Sequence, residues 1–161
     1  MLTLIWAEDE NHVIGNQGKL PWHLPADARF FRQQTTGQTV IMGKQTFLSI
    51  GRPLPKRTNV VLSATLSAPA GVLLMRNLAM LKQYLRQHHN EQLFVIGGVR
   101  LYQALMPQAD RLLVTRIDAS FSGDTKMPTI DAADWHLTNV DVHPVDDQNV
   151  WPYRFETYER I

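Results

Sequence analysis

Asp27 is the carboxylate best placed to do chemistry. The sequence sets it in the first turn of a helix that follows Pro25, a residue that suits a helix start. At about 100° per residue, Phe31 falls roughly 40° from it and Phe30 roughly 60° away on the other side. Asp27 therefore interrupts an apolar face. Two readings stay open. It is an ordinary first-turn acid favoured by the helix dipole, or a desolvated carboxylate lining a pocket. Burial would raise its pKa and let it manage a proton or grip a cationic amidine-like group.

Other residues offer anion chemistry. In Phe94-Val-Ile-Gly97-Gly98-Val-Arg100 an apolar run ends in two glycines and a helix begins. Backbone N–H groups there suit a phosphate, or simply a tight turn. Lys44-Gln45-Thr46 follow Gly43 at a second strand-to-helix junction, again a phosphate site or a plain helix start. Arg57 precedes an apolar run and suits bidentate capture of a carboxylate, or a solvated loop. Ser63 offers a hydroxyl or a turn. The histidines form no metal pattern: His88 and His89 are adjacent at a helix end, and His12, His23, His136 and His143 stand apart in loops and edge strands. There is no nucleophile elbow and no phosphate-binding P-loop motif.

The elements that must hold these residues read as α/β. Leu2–Ala7, Thr39–Met42, Asn59–Leu62, Val72–Met75, Leu93–Ile96 and Arg111–Ile117 are short apolar runs suited to interior parallel strands. Trp135–Val142 and Tyr153–Glu159 alternate better and predict an antiparallel pair near an edge. Leu78, Leu81, Tyr84 and Leu85 after Asn77 predict a capped helix. Lys44–Ile50 predicts a short helix closed by Gly51, and Val99–Met106 one stopped by Pro107. Asn11–Pro25 and Gly51–Pro55 are turn-rich, and long loops in a compact domain are often functional.

Composition narrows the class. In 161 residues, 16 Lys and Arg oppose 15 Asp and Glu, a net charge of +1, with 44% apolar and 19% charged residues. This predicts one domain able to fill a core, without the basic footprint of a nucleic-acid or membrane-surface binder. Cysteine is absent, which removes disulfides, thiolate metal sites and cysteine nucleophiles. The amino-terminal residues do not read as a signal peptide and no run is long enough to span a bilayer. A cytoplasmic protein is expected.

In order along the chain stand Val13-Ile-Gly15, Leu20-Pro-Trp22-His-Leu-Pro25-Ala-Asp27, Val40-Ile-Met-Gly43-Lys-Gln-Thr46-Phe, Ser49-Ile-Gly51-Arg-Pro-Leu-Pro55, Asn59-Val-Val-Leu-Ser63, Val95-Ile-Gly97-Gly98, Leu113-Val-Thr115 and Gly123-Asp-Thr125. This series resembles the dihydrofolate reductases of the bacterial chromosomal type over nearly the whole chain. The resemblance implies an eight-stranded, mostly parallel sheet with an antiparallel C-terminal strand and four helices. It implies reduction of 7,8-dihydrofolate to 5,6,7,8-tetrahydrofolate by NADPH, inhibition by antifolates such as trimethoprim and methotrexate, and a monomer.

It also implies residue roles. Asp27 would bond the pterin, with Leu20 and Trp22 completing the catalytic group. Ile5, Ala7, Ala28, Phe31, Ile50 and Leu54 would line the substrate pocket. Arg57 would take the tail carboxylate, Arg32 and Arg52 would lie nearby, and Thr115 would bond Asp27. The nicotinamide side would involve Ala7, Ile14, Gly15, Leu20 and Thr46, with Thr125 nearby. Ile96, Gly97, Gly98, Val99, Leu101 and Tyr102 would pass the pyrophosphate and ribose. Lys44, Ser63 and Arg100 would surround the adenosine 2′-phosphate, which distinguishes NADPH from NADH, and Gly43, Gln45, Leu62, Ala64 and Arg76 would also belong to the cofactor-binding set. Asn11–Leu24 would be a mobile loop, steadied by Asp124.

Some residues depart from the family pattern. Lys44 replaces a usual arginine, giving a point charge instead of a planar fork. Ala64 removes a hydroxyl, Leu20 replaces a methionine of some relatives, and Val99 stands where a third glycine is common. Ala28 replaces a larger leucine and predicts a wider pocket beside Asp27. The alternatives are a pyrimidine reductase of flavin synthesis on the same fold, disfavoured by Trp22 with Asp27, and a non-catalytic nucleotide-binding module.

Overall fold

The computed structural model describes Met1–Ile161. One sheet has eight strands in the order β5-β4-β3-β6-β1-β7-β10-β9. The strands are β1 (Leu2–Glu8), β3 (Thr39–Gly43), β4 (Thr58–Leu62), β5 (Val72–Met75), β6 (Leu93–Gly97), β7 (Arg111–Ile117), β9 (Trp135–His143) and β10 (Tyr153–Arg160). A separate two-stranded sheet joins β2 (Val13–Gly15) to β8 (Thr125–Lys126). The helices are α1 (Pro25–Thr35), α2 (Lys44–Ile50), α3 (Leu78–Gln87) and α4 (Val99–Leu105). The chain divides into two compact units, Met1–Leu4 with Thr35–Ala109, and Ile5–Gln34 with Asp110–Ile161.

In the first unit the parallel strands are built from β-branched runs. β3 pairs with β4 on one side and β6 on the other, so that Val40 lies between Asn59 and Phe94. Val40, Ile41, Val60, Val61 and Val95 are fully buried, as strands covered on both faces should be. Asn77 caps α3 by accepting the Met80 N–H at 2.8 Å, and Leu81, Tyr84 and Leu85 face the core. α2 ends where Gly51 takes φ 86° and its N–H returns to the Phe47 carbonyl, a left-handed cap that glycine adopts without strain.

In the second unit β10 runs antiparallel to both β7 and β9. Trp22, Leu24, Ala26, Ile117 and Tyr153 form its aromatic-rich cluster. Phe121 links Trp22 and Trp151, with ring centroids 5.4 and 4.9 Å away.

Apart from strand ends displaced by one residue, three features differ from the sequence reading. α4 ends at Leu105 and continues as a 3₁₀ turn, Met106–Gln108, that contains Pro107. Proline lacks only a donor there, so it changes the winding without stopping it. β2 lies inside the segment read as a loop, because three residues are too short to show a period. β9 does not alternate in burial: seven of its nine residues are exposed, as an edge strand allows. No helix is long and apolar enough to cross a membrane.

Candidate active site

In the second unit, α1 and β7 bring Asp27 to Thr115. The Thr115 hydroxyl donates to Asp27 Oδ1 at 2.7 Å. Asp27 is half-buried. Desolvation pushes its pKa up from 3.8 to about 6, and the Thr115 hydrogen bond works the other way. Of its two aromatic neighbours along the helix, Phe30 stacks on Phe155 at 4.2 Å, and Phe31 is half-buried. Ile5 is buried and Ala7 half-buried on β1, while Ala28 and Arg32 are exposed on α1.

The first turn of α1 is closed from outside the helix. Pro25 has no N–H, the Asp27 and Ala28 N–H groups donate to the Leu24 carbonyl at 3.0 and 3.3 Å, and the Ala26 N–H donates to Asn149 Oδ1 at 2.9 Å.

The segment before α1 carries Leu20 and Trp22. Leu20 is 61% exposed, so a large apolar side chain is left uncovered. Trp22 is buried, and its indole N–H has no acceptor in the protein. A buried donor of this kind is costly unless a ligand or water accepts from it. Ile14 and Gly15 are half-buried on β2.

Two carboxylates fasten this segment. Asp124 accepts the Gln17 N–H at 3.0 Å and the Thr125 hydroxyl at 2.9 Å, while its own N–H donates to the Gly15 carbonyl at 3.1 Å. The Gln17 and then the Thr125 hydrogen bonds hold its carboxyl below the usual range. Asp9 is buried and accepts the N–H groups of Asn11, Val13 and Phe121 at 2.8, 2.9 and 2.8 Å. Gly123 fits because it has no side chain: a Cβ would lie 2.2 Å from Val13 Cγ1 and 2.7 Å from the Gly15 carbonyl oxygen. His12, read as an isolated loop residue, pairs instead with the buried carboxylate of Glu8.

The first unit holds a separate set. Gly97 has φ 139°, and a Cβ there would approach Thr46 Oγ1 to 3.0 Å; at Gly98 the same contact would be an ordinary 3.8 Å. Glycine is thus required at Gly97 by its backbone angle and by the packing of Thr46, and the two glycines present backbone without side chains at this strand-to-helix junction, which fits a phosphate-bearing cofactor. Lys44 Nζ donates to Thr65 Oγ1 at 2.9 Å. Ser63 Oγ accepts the Leu66 N–H at 2.9 Å, and Arg76 Nη1 donates to the Leu66 carbonyl at 2.6 Å, so both shape the 63–66 turn. Gln45, Ala64 and Arg100 are exposed, Gly43, Leu62, Ile96 and Val99 half-buried, and Leu101 and Tyr102 belong to the core.

In the same unit Arg57 is anchored at both ends of its guanidinium, with Nε donating to the Pro55 carbonyl at 3.0 Å and Nη1 to Thr35 Oγ1 at 3.1 Å. The buried amide of Asn59 clips this loop: Oδ1 accepts the Leu54 N–H at 2.9 Å, and Nδ2 donates to the carbonyls of Leu54 and Arg57 at 2.9 and 3.1 Å. Leu54 is half-buried; Ile50 and Arg52 are exposed.

The sequence model of the family described as dihydrofolate reductase matches residues 1–160. The chain belongs to the dihydrofolate reductase family. It is 42% identical over 153 residues to the dihydrofolate reductase of Haemophilus influenzae, covering 95% of this chain and 94% of that one. It is 41% identical over 161 residues to the Bacillus subtilis dihydrofolate reductase, covering 99% and 95%. A structure of the Enterococcus faecalis dihydrofolate reductase, complexed with NADP(H) and RAB-propyl, superposes with a TM-score of 0.92 at 40% identity, covering 99% of this chain and 96% of that one.

For a dihydrofolate reductase, the residues that sequence reasoning passed over are mainly ones that hold others. Asp9 sits in Glu8-Asp9-Glu10, which reads as a solvated acidic run. Asn59 did carry a signal, as an amide opening an apolar strand. Asn149 lies in a polar turn with nothing to point at a helix more than a hundred residues earlier.

Proposed function

We propose that Asp27 manages the proton in the NADPH-dependent reduction of 7,8-dihydrofolate to 5,6,7,8-tetrahydrofolate by this reductase. NADPH supplies a hydride to C6 when bound, and N5 gains a proton. The observation that carries this reading is the half-buried Asp27, raised to about 6 and bonded to Thr115. A carboxyl group near that value holds and releases a proton close to neutral pH. Its negative form favours a protonated pterin, which accepts hydride more readily. The unpartnered Trp22 indole N–H offers a second polar contact, direct or through water. Leu20, left exposed, excludes water when a ligand covers it.

Arg57, preset by Asn59 and Thr35, takes the carboxylate of the substrate tail. Gly97 and Gly98 receive the pyrophosphate of NADPH, and Lys44, Ser63 and Arg100 its adenosine phosphate. Residues 1–161 act as one functional domain, as a monomer in the cytoplasm. Antifolates of the trimethoprim and methotrexate kind compete for the pocket that Ala28 widens.

The test is loss of NADPH absorbance with dihydrofolate, in wild type and Asp27→Asn. Turnover by the wild type and its collapse at neutral pH in the variant are expected. An inactive wild type overturns the activity, and full activity in the variant overturns the role of Asp27. Equal use of NADH contradicts the roles given to Lys44, Ser63 and Arg100.

A further inference from the structure

We propose that Asn149 is a positioning residue for Asp27, acting through the first turn of α1. It deepens the reading of Asp27 given above and rests on it. α1 has no side chain of its own to cap it, since Leu24 stands where a cap would lie and contributes only its carbonyl. The Ala26 N–H instead donates to Asn149 Oδ1 at 2.9 Å, across 123 residues of sequence. Ala26 is the residue immediately before Asp27. Both Ala26 and Asn149 are buried, so this bond is shielded from competing water.

The amide is held in turn. Asn149 Nδ2 donates to Asp146 Oδ1 at 3.0 Å and Oδ2 at 3.1 Å. Asp146 Oδ1 also accepts the N–H groups of Gln148 and Asn149, each at 2.8 Å, and the Asp146 N–H closes the turn onto the Asn149 carbonyl at 3.0 Å. With Nδ2 committed to a carboxylate, the amide cannot flip, and Oδ1 must face Ala26. Arg29, on α1, lies close enough to act electrostatically on Asp146. The turn 146–149 therefore addresses the helix start by a hydrogen bond and by charge. Loosening it would let the first turn fray and admit water to Asp27, whose only side-chain partner is Thr115.

The test compares Asn149→Ala, Asn149→Asp and the exchange Asp146→Asn with Asn149→Asp. The readouts are single-turnover hydride transfer against pH, KM for dihydrofolate, and NADPH binding. Asn149→Ala is expected to slow hydride transfer about tenfold and to move the apparent pKa down as Asp27 gains water, with NADPH affinity unchanged. Asn149→Asp keeps the acceptor but sets two carboxylates together, and is expected to be impaired as well. The exchange restores one acceptor for Ala26 and one donor between the two side chains, and is expected to recover both rate and profile.

An unmoved pH profile in Asn149→Ala overturns the proposal. So does an exchange variant no better than Asn149→Asp, a comparison that stands even if Asn149→Ala does not fold. Asp27→Asn is run alongside: if it leaves the wild-type profile intact, the reading of Asp27 fails, whatever Asn149 does.

Discussion

Asp27 is a liability to the fold that carries it. Its folded pKa, about 6, lies above its ordinary 3.8 because burial penalises the charge. Well below pH 3.8 both folded and unfolded chains hold the proton and nothing is lost. As pH rises through 4 to 6 the unfolded chain releases its proton first, so stability falls. Above 6 the full cost remains, on the order of 2–3 kcal/mol. Asp27→Asn, which keeps an acceptor for Thr115, should therefore raise the melting temperature at pH 7.5 and lose that advantage near pH 4. Thermal unfolding of both proteins across this range checks it, and a constant difference would contradict the raised pKa. The identity of the acid was legible in the sequence as a carboxylate on an apolar face. Which of its two readings applied was not, because solvation depends on β7 and on residues far along the chain.

The elements were legible in proportion to their self-sufficiency. β3, β4 and β6 are continuous β-branched runs, and α3 has its own cap and apolar spacing, so local sequence defines them. β2 and β8 exist only by pairing with each other, with Gly123 packed against β2, and no local signal announces them. The junction of β6 and α4 shows the same dependence at a candidate cofactor site. Two glycines were visible, but their inequality was not. Gly97 has φ 139° and Thr46 close by; Gly98 has room. Gly97→Ala should therefore weaken NADPH binding at least tenfold, from backbone strain of about 1–3 kcal/mol, while Gly98→Ala has a smaller effect. Titration of NADPH fluorescence would measure both, and equal losses would show that the strain argument is misplaced.

Over the whole molecule the net charge of +1 conceals strongly local pairing. In the second unit, Arg116 bonds Glu156 and reaches Glu8 at 3.1 Å, and Arg154 joins Glu156 at 2.9 Å to Asp118 at 3.2 Å. Glu8 is 1% exposed and also accepts the Trp6 indole N–H at 2.8 Å. Removing the central cation takes from two buried carboxylates the counter-charge they share, leaving Glu8 with His12 and Trp6 and Glu156 with Arg154 and Tyr158, so Arg116→Met should cost about 3 kcal/mol, a drop of roughly 6–12 °C in Tm. Calorimetry would find less than 2 °C if the network were merely a solvated set of charges. None of this was visible in composition, because the partners come from β1, β7 and β10. The division of the chain has a consequence for its synthesis. The first unit, Met1–Leu4 with Thr35–Ala109, has all its residues once Ala109 has been added, whereas the second also needs Asp110–Ile161. Asp27 is added to the chain 88 residues before Thr115, and Ala26 is added 123 residues before Asn149, so this proton-handling arrangement cannot form until both later residues have been made.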